Sequence, residues 1–172
     1  VGRLDDAIAC CRRAVALDPE SAAAHYNLAS ALQATGATSE AIESFVRARE
    51  LKPDYAEAHN NLGTALLAEK KFAEAEPCFR QALELKPGFA TAYYNLGIAQ
   101  KGLNQPHLAV SAYKEAMKYA PQMVEAIQFA HGVIREVIDL QEEFYRKVNP
   151  TKKEFVPPVD DGLMKRLFDN YY

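Results

Sequence analysis

Three asparagines stand in register at 27, 61 and 95, each 34 residues after the last. Each is followed by leucine, in the phrases HYNLA (25–29), HNNLG (59–63) and YYNLG (93–97). An asparagine amide offers two N–H donors and one carbonyl acceptor. It can therefore pair with both the N–H and the C=O of an extended peptide. Packed helices lie roughly 8–10 Å apart, and three residues of extended chain span about 10 Å. Asparagines borne on successive helices at that pitch match every third residue of a bound strand. The same pattern is also compatible with a residue that simply recurs with the repeat and serves no ligand, and residue type alone does not choose between the two.

Other reactive side chains form weaker patterns. His25 and His59 hold the same place in two phrases, but no third ligand accompanies them, so they are read as packing residues and no metal site is assigned. Cys10 and Cys11 are sequential on a helix and point apart; Cys78 stands alone. Three cysteines without a CxxC indicate neither a disulfide framework nor zinc, and are compatible with a reducing, cytoplasmic setting. There is no HExxH, Walker loop, GxSxG or nucleotide fingerprint. No acid, base and nucleophile converge, so the chain is read as non-enzymatic, with no catalytic residue and no cofactor.

Bulk composition narrows the partners. A net charge of −3 gives no electrostatic footprint for nucleic acid. The small basic cluster Arg146, Lys147, Lys152 and Lys153 is read as a solvated linker. No run of about 18 apolar residues points to a membrane span.

The elements that carry the asparagines follow from the period. Pro19, Pro53, Pro87 and Pro121 also recur every 34 residues. With each proline at repeat position 32, full units run 22–55, 56–89 and 90–123. Small residues then align: Ala29, Gly63 and Gly97 at position 8; Ala7, Ala41, Ala75 and Ala109 at position 20; Ala14, Ala48, Ala82 and Ala116 at position 27. Large ones align beside them, with Leu28, Leu62 and Leu96 at position 7 and Cys11, Phe45, Phe79 and Tyr113 at position 24. Positions 4, 7, 8 and 11 share one face of a first helix, and 20, 24 and 27 share one face of a second. The small residues let two helix backbones approach, and the large ones fill the space beside them. Proline ends the second helix. Gly36 marks the turn between the two helices; Lys70 and Asn104 occupy that place later, which reads as a less strictly specified turn.

Over residues 1–123 these positions resemble the tetratricopeptide repeat family. The resemblance implies an all-α, right-handed α-solenoid of helix pairs. There are departures. His25 and His59 stand where the family favours tryptophan, and Gln100 replaces a large residue at position 11. Pro77 sits early in a second helix, where a missing N–H is expected to be tolerated. In this family the first helices line a concave groove, into which positions 2, 5, 6, 9, 12 and 13 look. That places Tyr26, Asn27, Ser30 and Gln33 there, then Asn60, Asn61, Thr64 and Leu67, then Tyr94, Asn95, Ile98 and Lys101. The repeats are similar to those of O-linked N-acetylglucosamine transferases, whose asparagine ladder holds substrate backbone. Members that bind chaperone tails carry Lys or Arg at positions 2, 5 and 6. Here position 2 is Ala23, Glu57, Thr91 and position 5 is Tyr26, Asn60, Tyr94, so a carboxylate clamp is not expected. The implied partner is an extended polypeptide.

The two ends depart from the repeat. Residues 1–21 align with the second helix of a truncated unit, in which Ile8, Cys11 and Val15 would lack part of their packing; an upstream extension, or a fragment, is expected. After Pro121 the stretch 124–149 reads as one long capping helix, with a polar outer face and a broad apolar arc. Residues 150–172 read as an extended tail with a short amphipathic helix, in which Leu163, Met164, Leu167, Phe168 and Tyr171 share a face. Alone it is too short to be stable, so it is expected to dock on this array, on a second copy, giving self-association, or on a domain outside this sequence. Its LMKRLFDNYY resembles the entry segment of methyltransferase domains that follow bacterial tetratricopeptide arrays. The functional expectation is a protein-interaction module. The alternatives are the recognition part of a methyltransferase or glycosyltransferase, and a self-assembling scaffold.

Overall fold

The computed structural model of this protein describes residues 2–120. Among them are seven helices and no strand: α1 (Gly2–Leu17), α2 (Ala22–Ala34), α3 (Thr38–Leu51), α4 (Ala56–Ala68), α5 (Phe72–Leu85), α6 (Ala90–Gly102) and α7 (Pro106–Tyr119). Helices pair as α2 with α3, α4 with α5 and α6 with α7, and the pairs stack through α3 on α4 and α5 on α6. The helix α1 packs on α2, and α4 also touches both α2 and α6. This arrangement is an α-solenoid. The capping helix assigned to 124–149 and the tail of 150–172 lie outside the described residues.

Prolines set the breaks between pairs. Lys52, Lys86 and Ala120 each precede a proline, and their backbones leave the helix at nearly the same angles: φ −137, −139 and −144°, ψ 86, 83 and 80°. A proline's Cδ clashes with a helical residue before it, so the chain turns extended there. Within each pair the break is a left-handed residue after the first helix: Gly36 at φ 82°, Lys70 and Asn104 both at φ 58°. The N–H of the following residue then reaches back to the last helical turn, in Ala37 to Leu32, Lys71 to Leu66 and Gln105 to Gln100, at 2.9–3.0 Å. This is the Schellman closure of a helix C-terminus. The turn is therefore as strictly specified at Lys70 and Asn104 as at Gly36, against the sequence expectation. Three identical helix pairings impose it, and two residues without glycine's freedom accept it.

Pro77 is a second correction. Helix α5 begins at Phe72, so Pro77 is its sixth residue and lies beyond the first four N–H groups that lack helical partners. Both Pro77 and Ala73, whose carbonyl would have accepted the missing bond, are exposed, so the gap in the helix ladder falls on its solvent-facing side.

The core repeats with the sequence. Phe45, Phe79 and Tyr113, one per pair, are almost wholly buried, as are Ala41, Ala75 and Ala109. A Cβ on Gly63 would sit 2.7 Å from the Phe79 ring, and one on Gly97 would sit 2.4 Å from the Tyr113 ring. Each ring lies directly on the backbone of the facing helix, which is why position 8 is small. Ile8, Cys11 and Val15 of α1 are partly buried against the same core, while Leu17 is 84% exposed.

Two polar groups inside this packing yield predictions. Gln100 is buried where Leu32 and Leu66 stand in the earlier units. Its amide donates to Glu76 Oε1 at 3.4 Å, and its carbonyl oxygen has no partner. A buried acceptor left unsatisfied costs about 1–3 kcal/mol. Glu76 keeps its ion pair with Arg80 at 2.7 Å. Gln100→Leu is accordingly expected to stabilise the fold by about 1 kcal/mol, read as a higher urea midpoint at unchanged slope.

Burial, with Tyr94 beside it, pushes the Tyr113 hydroxyl from its ordinary 10.0 up to about 12. A folded-state pKa above the unfolded value means that the stabilisation is complete below pH 10 and is lost as pH rises through about 12. Tyr113→Phe should therefore flatten the fall in stability across that interval, measured as urea midpoints against pH.

Candidate functional site

The asparagines reach their places because α2, α4 and α6 lie side by side. Positions 5, 6 and 9 point along the surface these three helices form, toward the neighbouring first helix. There they meet one another. Asn95 donates from Nδ2 to Asn60 Oδ1 at 3.3 Å and to Thr64 Oγ1 at 3.2 Å. Asn60 donates to Asn61 Oδ1 at 3.0 Å, and Asn61 donates to the Tyr26 hydroxyl oxygen at 2.9 Å. A continuous relay thus runs from α6 through α4 to α2.

The anticipated groove residues divide by exposure. Asn27 and Lys101 are exposed; Tyr26, Ser30, Asn61, Thr64, Tyr94 and Asn95 are half-buried; Asn60 is only 6% exposed. Ser30 and Thr64 turn their hydroxyls back to the Tyr26 and Asn60 carbonyls, both at 2.9 Å, so their protons are already engaged within their own helices. The Tyr26 ring packs on Tyr55 at 4.9 Å and edge-on to Phe45 at 5.8 Å, which fixes its hydroxyl. Tyr94 is held likewise against Tyr113 at 5.8 Å. Glu57 at position 2 is paired with Lys86 at 2.9 Å, and that bond holds its carboxyl below the usual range.

Sequence reasoning missed Tyr55 and Phe89. Each sits two residues after the proline, in KPDYA and KPGFA, under the lysine before that proline: Lys52 lies 5.1 Å from the Tyr55 ring centre and Lys86 lies 4.6 Å from that of Phe89. The recurrence of Lys-Pro-x-aromatic was the available signal. Burial, then Tyr26 and Glu57, push the Tyr55 hydroxyl up.

The histidines have a definite role in packing. His25 Nε2 lies 3.0 Å from the Pro19 carbonyl and His59 Nε2 lies 2.9 Å from that of Pro53, each stapling a first helix to the turn before it. Tyr93 at the third position instead stacks on Tyr119, with ring centres 5.8 Å apart and planes within 7°. Among the described residues, no three His, Cys, Asp or Glu converge on a metal-sized site. The buried Cys78 donates to the Glu74 carbonyl at 3.4 Å, and burial pushes its thiol up, away from the reactive thiolate. No helix among the described residues is long and apolar enough to cross a membrane. Apart from the exposed Lys101, this face presents neutral hydrogen-bonding side chains that hold one another in place.

Comparison with known proteins agrees with the fold of stacked helix pairs. Sequence models of the tetratricopeptide repeat match residues 1–64, 56–89 and 90–123. The crystal structure of MamA is similar at 30% identity and a TM-score of 0.65, over 71% of this chain and 71% of that one. The first repeat domain of Spaghetti (RPAP3), solved with the HSP90 peptide SRMEEVD, shares the fold at 22% identity and a TM-score of 0.66, over 70% of this chain and 96% of that one. Among curated proteins, the polyribonucleotide nucleotidyltransferase of Rhodopirellula baltica is 67% identical over 51 residues, 30% of this chain. That stretch spans only 7% of the relative's own length.

Proposed function

This chain belongs to the tetratricopeptide repeat family, and on that premise we propose that the face formed by α2, α4 and α6 binds an extended polypeptide through its main chain. The observation that carries the reading is the relay of half-buried amides and hydroxyls across three first helices. It presents neutral donors and acceptors at helix spacing, as in the O-linked N-acetylglucosamine transferase repeats that this array resembles. The RPAP3 domain holds an acidic peptide. Here positions 2 and 5 carry no cation, and Glu57 is already paired with Lys86, so this ligand is held by its backbone and not by a terminal carboxylate.

Asn27 is the cleanest probe, because it is exposed and outside the relay. Taking the tightest binder from an array of capped octapeptides, Asn27→Ala is expected to weaken binding about fivefold to tenfold, the value of one hydrogen bond, at unchanged melting temperature. Unaltered affinity, or an array with no binder, would overturn the reading.

A second reading concerns the residues beyond 123. The repeat models end there, leaving 49 of the 172 residues unmatched. The match to the Rhodopirellula baltica enzyme is 67% identical over 51 residues. We place it largely on 124–172, and propose that the repeats recruit protein partners to a polyribonucleotide nucleotidyltransferase. The full chain should then co-elute with the Rhodopirellula baltica enzyme, and a version lacking 124–172 should not. Absence of co-elution from both rejects it.

A further inference from the structure

The relay has a direction, and one hydroxyl sets it. An asparagine side chain can be turned end for end, so each amide alone is ambiguous. Thr64 removes the ambiguity. Its single proton is given to the Asn60 carbonyl at 2.9 Å, so its oxygen can only accept. The group of Asn95 that faces it must therefore be the NH2. The same NH2 faces Asn60, which must answer with its carbonyl oxygen. Asn60 then has only its own NH2 for Asn61, and Asn61 has only its NH2 for Tyr26. Every bond runs the same way, from α6 toward α2. Two valences remain at the ends: the Tyr26 hydroxyl accepts and so keeps its proton to donate, and the Asn95 carbonyl oxygen is left to accept.

We infer that Asn60, too buried at 6% exposure to touch a ligand, is a positioning residue. It passes the sense set at Thr64 from Asn95 on to Asn61, and thereby makes Tyr26 a donor and Asn95 an acceptor toward a ligand main chain. A bound strand places a carbonyl at the α2 end and an N–H at the α6 end. The inference rests on the peptide-binding reading above, which it refines.

Asn60→Asp tests it, because a carboxylate has nearly the same shape and no donor. Asn95 still donates to it. Asn61 must turn round to donate to it as well, so the Asn61 carbonyl now faces Tyr26 and takes the hydroxyl proton. In the free parent, the Asn61 NH2 should show an NMR proton–proton contact to the Tyr26 ring, and in Asn60→Asp that contact should disappear. Persistence of that contact overturns the inference whether or not a ligand is in hand. With the array octapeptide as probe, Tyr26→Phe should weaken binding about fivefold to tenfold, the value of one hydrogen bond. Asn60→Asp should do the same in the parent and nothing further in the Tyr26→Phe background, since it acts through that hydroxyl. Independent, additive losses would mark Asn60 as merely structural and overturn the proposal. If no octapeptide binds the parent, groove binding fails, and the relay is judged by the NMR contact alone.

Discussion

Phe79→Ala is expected to remove about 3–5 kcal/mol of folding stability, the range for emptying a buried phenylalanine site. The ring is wholly buried in the middle helix pair and lies against the α4 backbone at Gly63. Little can collapse into the hole, because the walls are backbone and the small side chains that permit close approach. A repeat array holds together through neighbours only. Loosening the middle pair thus also weakens the α3–α4 and α5–α6 stacking on either side. Urea unfolding followed by circular dichroism should show a much lower midpoint, and loss of a single cooperative transition would have the same origin. A companion variant ties the effect to this contact. Gly63→Ala should be costly in the parent, where the new Cβ meets the ring at 2.7 Å, and close to neutral once the ring is gone. A loss under about 1 kcal/mol on removing the ring would contradict a filled position 24.

Ala75→Leu is expected to cost about 1–3 kcal/mol by overpacking. Ala75 has no exposed surface and lies in the hydrophobic core of the array, on α5, which packs against α4. Three extra carbons there must push the helices apart or force poor rotamers on Leu62 and Phe79. The control is Ala73→Leu, two residues away on the same helix but exposed, which should stay within about 0.5 kcal/mol of the parent. Equal melting temperatures for the parent and the Ala75 variant would show that the two helices do not meet at this residue.

Much of the fold was legible in the residues. The prolines at 19, 53, 87 and 121, the small residues at positions 8, 20 and 27, and the large ones at 7 and 24 each recur because every unit packs its neighbour in the same way. A linear array makes the packing local, so a 34-residue window holds nearly all the information it needs. Less was legible where a residue's own preference was overruled. Lysine does not favour a left-handed backbone, yet Lys70 adopts one at the place where Gly36 and Asn104 take it more readily, because the helices on either side require the same closure. Pro77 was misplaced because helix starts at residues without side-chain caps, such as Lys71, leave no mark in the sequence.

The candidate site divides the same way. From sequence alone came the register of Asn27, Asn61 and Asn95 and the expectation that they share a face, since periodicity determines direction around a helix axis. That Asn61 would reach Tyr26, and Asn95 would reach Asn60 and Thr64, depended on the offset between neighbouring first helices. A shift of about 1.5 Å, one residue's rise, would separate those atoms. Such an offset is set by how Phe45 and Phe79 seat between the helices, a property of the packed whole. Asn61 and Asn95 each meet a polar partner on the first helix before them, because a hydrogen bond depends on where its partner stands and not only on its own place in a repeat.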